Sequence, residues 1–207
     1  MASCCEDKAC AIDALQRKQG ATLKTVLWIN ASMFFVVLGM GIYAGSAALL
    51  SDALDNLGDA LTYAMSLYAV GKSVETKSNV ALFKGALILL AGLAVMAQVL
   101  YKALHPAMPV YEAMGATSLL ALAANSACLA LLWRHRHEDV NMSSVWQCSR
   151  NDIASNLSVF VAALGVWMLG SPWPDLAIGF ALGLLFLWSA ASVLRSALRA
   201  KMVTVTL

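Results

Sequence analysis

Charge is what this sequence has least of: Asp, Glu, Lys and Arg together make up 13% of its 207 residues. Soluble domains carry about a quarter, so a water-facing surface of ordinary size is excluded. Proline is scarce too, four in all, and long apolar runs pass uninterrupted between polar breaks. No apolar segment precedes Leu23; the opening stretch MASCCEDKACAIDALQRKQ carries acidic residues instead. That argues against a cleavable signal peptide and makes the first apolar run a retained membrane helix. A net charge of +2 offers no basic surface for nucleic acid. The five cysteines do not suggest a disulfide framework, because Cys4, Cys5 and Cys10 fall in a polar tail and Cys128 and Cys148 in apolar runs.

What the chain has in quantity is hydrophobic residues, 60% of the total, with a mean hydropathy of +0.72. A membrane span needs about 20 mostly apolar residues. Six runs qualify, at about 23–44, 47–70, 79–102, 114–133, 143–169 and 174–194. The expectation is an all-α membrane protein of six transmembrane helices, with a short Cys-containing tail at 1–20, a helical domain over 21–197 and a short tail at 198–207. Lys and Arg set its orientation. Basic residues cluster on the side of the termini, in the tails, after the second run and after the fourth, whereas the opposite side has only Lys102. Both termini are therefore expected in the cytoplasm. Gly45 and Ser46 predict a very short turn between the first two helices, and Ser171, Pro172 and Pro174 a sharp start to the last. Gly41 with Gly45, and Gly179 with Gly183, have the spacing that lets membrane helices approach closely, read here as helix packing before a dimer seam.

Against this apolar background three carboxylates stand out. Asp52, Asp55 and Asp59 fall at i, i+3 and i+7, along one stripe of the second helix. Ionised groups at membrane depth are costly and mark a functional path by default. A plain polar face lining a water-filled cavity is the alternative. Cys148, Asp152 and Asn156 form a second stripe at i, i+4 and i+8 on the fifth helix. The two helices run in opposite directions, which brings Asp55 level with Asp152 and Asp59 nearer Cys148. Two helices with two anionic ligands each can build one four-ligand cation site from Asp55, Asp59, Cys148 and Asp152. Asp52 and Asn156 are the accessory candidates. A lone cysteine in a membrane helix is commonly just a small apolar residue; here it sits one turn before an intramembrane aspartate. Mixed oxygen and sulfur ligands suit Zn²⁺ or Cd²⁺ better than Mg²⁺ or Ca²⁺, with Co²⁺, Fe²⁺ and Ni²⁺ also admitted.

The segment GSAALLSDALDNLGDA resembles the second transmembrane helix of the cation diffusion facilitator family, whose ligand pair is matched by Asp55 and Asp59. CSRNDIASN resembles that family's fifth helix, with Asp152 at its aspartate and Cys148 where His or Asp is usual. WPDLAIGFALGL resembles the opening of its sixth helix, and Asn30 in WINASMFF an asparagine common in its first. The resemblance implies divalent-metal export from the cytoplasm in exchange for protons, by alternating access, in a homodimer. Against the family's pattern two departures are expected, a missing cytoplasmic domain after the sixth helix and Cys148 in place of His or Asp; the family's loop site also lacks support, since GKSVETKSN offers only Glu75.

Other groups are weighed beside these. Cys4, Cys5 and Cys10 in CCEDKAC can capture a soft cation in the cytoplasm, or belong to a disordered tail with incidental thiols. His135 and His137 stand at the expected cytoplasmic mouth, either in a solvated charged loop or as a weak entry site. The transported metal and protons, together with membrane lipid, are the expected partners, and a bacterial inner membrane the expected location. No enzyme activity and no resident cofactor are expected. Two competing functions stay open: an intramembrane aspartyl protease using Asp59 and Asp152, and a membrane metal receptor that binds without transport.

Overall fold

The structure is a computed structural model that describes residues 24–69, 74–133 and 142–205. Six helices follow in order: α1 (Lys24–Ala44), α2 (Ala47–Ala69), α3 (Val74–Leu104), α4 (Tyr111–Trp133), α5 (Met142–Leu169) and α6 (Trp173–Val205). There is no strand among the described residues. Two helices outrun their apolar cores. α3 starts at Val74, inside the stretch expected to be a connection, and α6 continues to Val205, well past residue 194. Backbone hydrogen bonds do not stop where hydropathy does, and Glu, Lys, Ala, Leu and Arg in these extensions are good helix formers.

Five stretches are long and apolar enough to cross a membrane: α1, Gly85–Leu104 of α3, Tyr111–Leu131 of α4, Asp152–Leu169 of α5 and Trp173–Arg195 of α6. The second expected span is not among them. Its 23 residues suffice in length, but Asp52, Asp55 and Asp59 lower its hydropathy. The fold compensates by enclosure. Every residue of α2 from Ala47 to Leu54 is buried, so the most polar helix is the one screened from lipid. Large apolar side chains point outward instead, among them Phe35, Ile42, Leu90, Leu100 and Val161. Tyr43, Tyr101, Trp167 and Trp173 are exposed at the end of the bundle that holds the α1–α2 and α5–α6 turns. Aromatic rings of this kind sit at headgroup depth.

The helices pack in two groups. α3 and α6 make an extensive pair and α2 lies against both; α4 and α5 make the other pair. α5 bridges the groups by touching α6 and, over a smaller contact, α2. Leu50, Leu54, Val95, Val99 and Leu176 fill the core between α2, α3 and α6. A second core joins α1, α2, α4 and α5 through Met33, Val37, Leu49, Ala53, Met114, Ala121, Val159 and Ala163.

The α1–α2 hairpin closes as the sequence predicts. Gly45 has φ +60°, the left-handed conformation that ends a helix most easily without a Cβ. Ser46 then caps α2, its Oγ accepting from the Leu49 N–H at 3.0 Å. A second cap comes from far along the chain. The buried carboxylate of Asp175, in the first turn of α6, accepts from Ser46 Oγ at 2.6 Å, Ala47 N–H at 2.8 Å and Ala48 N–H at 3.0 Å. Lys102 donates to the Gly45 carbonyl, and Val110 N–H to that of Ala44 at 2.9 Å. Below this stitch α2 and α6 are almost in backbone contact. A Cβ on Gly179 would lie 2.7 Å from the carbonyl carbon of Ala47, and Ser51 Oγ donates to the Gly179 carbonyl at 2.8 Å. Gly179 and Gly183 thus serve packing within the chain, as their spacing suggested.

Candidate functional site: a polar layer between two helix groups

Helical periodicity carries the four-helix core directly into a polar layer. Residues seven apart lie close to one face, two turns along. Asn30 lies seven residues from Val37, Asn56 seven from Leu49, Cys128 seven from Ala121 and Asn156 seven from Ala163. All four steps lead away from the α1–α2 turn. The apolar cluster therefore ends in a layer of amides and one thiol, contributed by α1, α2, α4 and α5. The layer is closed between α1 and α4, where Asn30 Nδ2 donates to the Val26 carbonyl at 3.0 Å and faces Cys128 Sγ at 3.8 Å. Asn125 is also buried there.

On the other side the layer is electrostatically incomplete. Asn56 Nδ2 donates to the Asp52 carbonyl at 3.2 Å and Asn156 Nδ2 to the Asp152 carbonyl at 2.9 Å. Both amides thereby turn their oxygens away from their own helices. Asn56 Oδ1, Asn156 Oδ1 and Asp52 Oδ2 are buried and have no hydrogen-bond partner. An unsatisfied buried acceptor costs about 1–3 kcal/mol, more when charged. Asp52 also lies within electrostatic reach of Asp55 on the same helix.

Asp55 and Asp59 on α2 and Asp152 on α5 are half-buried, and each is engaged in a polar or electrostatic interaction. Asp59 is three residues from Asn56 and Asp152 four from Asn156, so both border the layer on the side away from the α1–α2 turn. Asp55 and Asp59 belong to one helix group and Asp152 to the other. Among the described residues no three His, Cys, Asp or Glu side chains gather closely enough to hold a metal. Position 148 lies in helical α5, one turn before Asp152, but its side chain is outside the described residues. Cys4, Cys5 and Cys10 fall outside them altogether, as do His135 and His137.

Sequence reasoning singled out Asp52 and Asn156 as accessory groups and passed over Asn56 and Asp175. Asn56 had a signal, since it sits between Asp55 and Asp59 on a stripe that continues Leu49 and Ala53. Asp175 had only its place in the first turn of a helix, where an acid ordinarily serves its own helix rather than a neighbour's.

Buried carboxylates and acceptor oxygens at membrane depth suit the handling of cations. Comparison with curated proteins gives no match. A family model described as the cation efflux transmembrane domain matches residues 23–200, which takes in α1 to α5 whole and most of α6. The chain therefore belongs to the cation diffusion facilitator family, whose members are cation efflux transporters of the membrane.

Proposed function

We propose that this protein exports a divalent transition metal, Zn²⁺ or Cd²⁺ in the first place, from the cytoplasm in exchange for protons. Asp55, Asp59, Cys148 and Asp152 are the ligand set. The observation that carries this is that half-buried carboxylates occur in both helix groups, Asp55 and Asp59 in α2, the helix most enclosed from lipid, and Asp152 in α5. The register of α5 supports it, because 152 and 156 continue the inward stripe of Val159 and Ala163.

The ligands bind as anions, so metal entering from the cytoplasm displaces their protons. A rocking of one helix group against the other then exposes the site to the far side. Protons arriving there neutralise the carboxylates, weaken the site and release the metal. Coupling needs no separate proton residue. The termini are cytoplasmic, the protein works as a homodimer, and a bacterial inner membrane is its setting; the one-sided Lys and Arg distribution supports the orientation.

The test is Zn²⁺ and Cd²⁺ flux into proteoliposomes under an imposed pH gradient, with Asp55→Ala alongside. Gradient-driven flux that disappears in Asp55→Ala supports the proposal. Flux absent from the folded parent protein, with Zn²⁺ still bound, replaces it by the receptor function.

A further inference from the structure

We infer that Asp52, Asn56 and Asn156 form a second, all-oxygen cation subsite beside the Asp55, Asp59 and Asp152 carboxylates, on the side of the α1–α2 turn. Its role as a station on a transport path rests on the function proposed above; its capacity to bind does not.

The case begins with direction. An asparagine presents both a donor and an acceptor, and a water-filled or self-satisfied layer would use both. Here the Asn56 and Asn156 Nδ2 groups are each spent on a backbone carbonyl of their own helix. Those carbonyls can only accept, so neither amide can be flipped without placing two oxygens face to face. What remains of each amide without a partner is therefore its oxygen. The carboxyl group of Asp52, 1% exposed, adds a third oxygen without a hydrogen-bond partner. All three residues are more than nine-tenths buried, and all three oxygens lack a partner.

Two amide oxygens and a carboxyl group, all buried and without partners, match a cation that keeps part of its water shell and takes the place of the carboxyl proton. Amide and carboxylate oxygens are hard ligands, the kind Mn²⁺ and Mg²⁺ take, and no thiol contributes. The subsite thus differs in chemistry from the thiolate-containing set proposed for transport. α2 and α5 touch each other, and Asn56 and Asn156 each lie two turns along from a residue of the same apolar cluster, Leu49 and Ala163. A cation held there would be shared between the two helix groups.

Mn²⁺ is the probe, measured by equilibrium dialysis on the purified full chain with free Mn²⁺ read by electron paramagnetic resonance. Asn56→Leu combined with Asn156→Leu should remove one bound Mn²⁺ per chain. Asn156→Asp, nearly isosteric, should tighten Mn²⁺ about tenfold by replacing a dipole with a charge. Mn²⁺ binding that is the same in all three proteins overturns the inference, as does parent protein that binds no Mn²⁺. Should the double leucine variant fail to fold, Asn156→Asp decides alone, and binding no tighter than the parent's overturns the inference. Zn²⁺ binding indifferent to Asp55→Ala refutes the transport site instead, and the Mn²⁺ comparison is unaffected by it.

Discussion

Asp175 holds the entrance of α2 from another helix, and its removal should be felt as a stability change larger than an ordinary cap. The carboxylate accepts three hydrogen bonds, at 2.6, 2.8 and 3.0 Å, and is 2% exposed. Losing a single cap costs about 1 kcal/mol. Hydrogen bonds to a charged group contribute about 1.5–3 kcal/mol each, though not additively. Ser46 Oγ still accepts from Leu49 N–H after the change, which limits the damage. Asp175→Ala should therefore cost about 3–5 kcal/mol, the range seen when a buried charged pair is broken. Asp175→Asn keeps one acceptor oxygen and should cost about 1–2 kcal/mol. Ser46→Ala removes a cap and one partner of Asp175, for a similar about 1–2 kcal/mol. Equilibrium unfolding of the full chain in mixed micelles, followed by the fluorescence of its six tryptophans, measures each. A Ser46/Asp175 double-mutant cycle should give a coupling of about 1–2 kcal/mol. A coupling under about 0.3 kcal/mol, within the scatter of independent sites, refutes the shared cap.

Gly179→Ala should destabilise by about 1–3 kcal/mol, because the added Cβ meets Ala47 backbone at 2.7 Å and neither helix can yield without moving the other. Gly183→Ala should cost less than Gly179→Ala in the same unfolding assay, since its nearest neighbour is the flexible Met96 side chain, at 2.5 Å. Cys148→His should keep Zn²⁺ flux and lower the preference for Cd²⁺; unchanged relative rates show that the thiol is not a ligand. Zn²⁺ affinity should fall as pH falls, because metal and protons compete for the same carboxylates and thiolate. Isothermal titration at several pH values checks this, and a pH-independent affinity removes the basis for proton coupling.

The sequence was legible where a residue's chemistry could be read against its immediate background. Asp55 and Asp59 stand out among Leu and Ala, and the six helices, the Gly45–Ser46 turn and the Ser171–Pro172 start appear where those residues predict. The run at 47–70 reads as a helix from its length and apolar content, and the spacing of its aspartates adds the polar stripe. What could not be read is what depends on three dimensions. Asp175 serves a helix more than 120 residues away in the chain, as its contacts with Ala47 and Ala48 show. That Asn30, Asn56, Cys128 and Asn156 share one level could not be read, because only the packing of four helices brings them there. The ends of α3 and α6 escaped because helix propensity, not hydropathy, sets them.

The division of the acids between two helix groups has a consequence for what a bound ion does. In the described arrangement Asp55, Asp59 and Asp152 do not by themselves close around a metal. An ion that takes oxygens from both groups binds best where those groups stand closest, so its binding energy is also a force drawing the seam together. Protonating one carboxylate weakens the ion's grip and slackens the seam in the same step, because charge and shape are then two readings of one free energy. Since α2 is sewn to α6 by Asp175, Ser51 and Gly179, that force cannot be absorbed by α2 alone. Under the proposed function it would be delivered to α2, α3 and α6 together, leaving the seam with α4 and α5 as the surface expected to move.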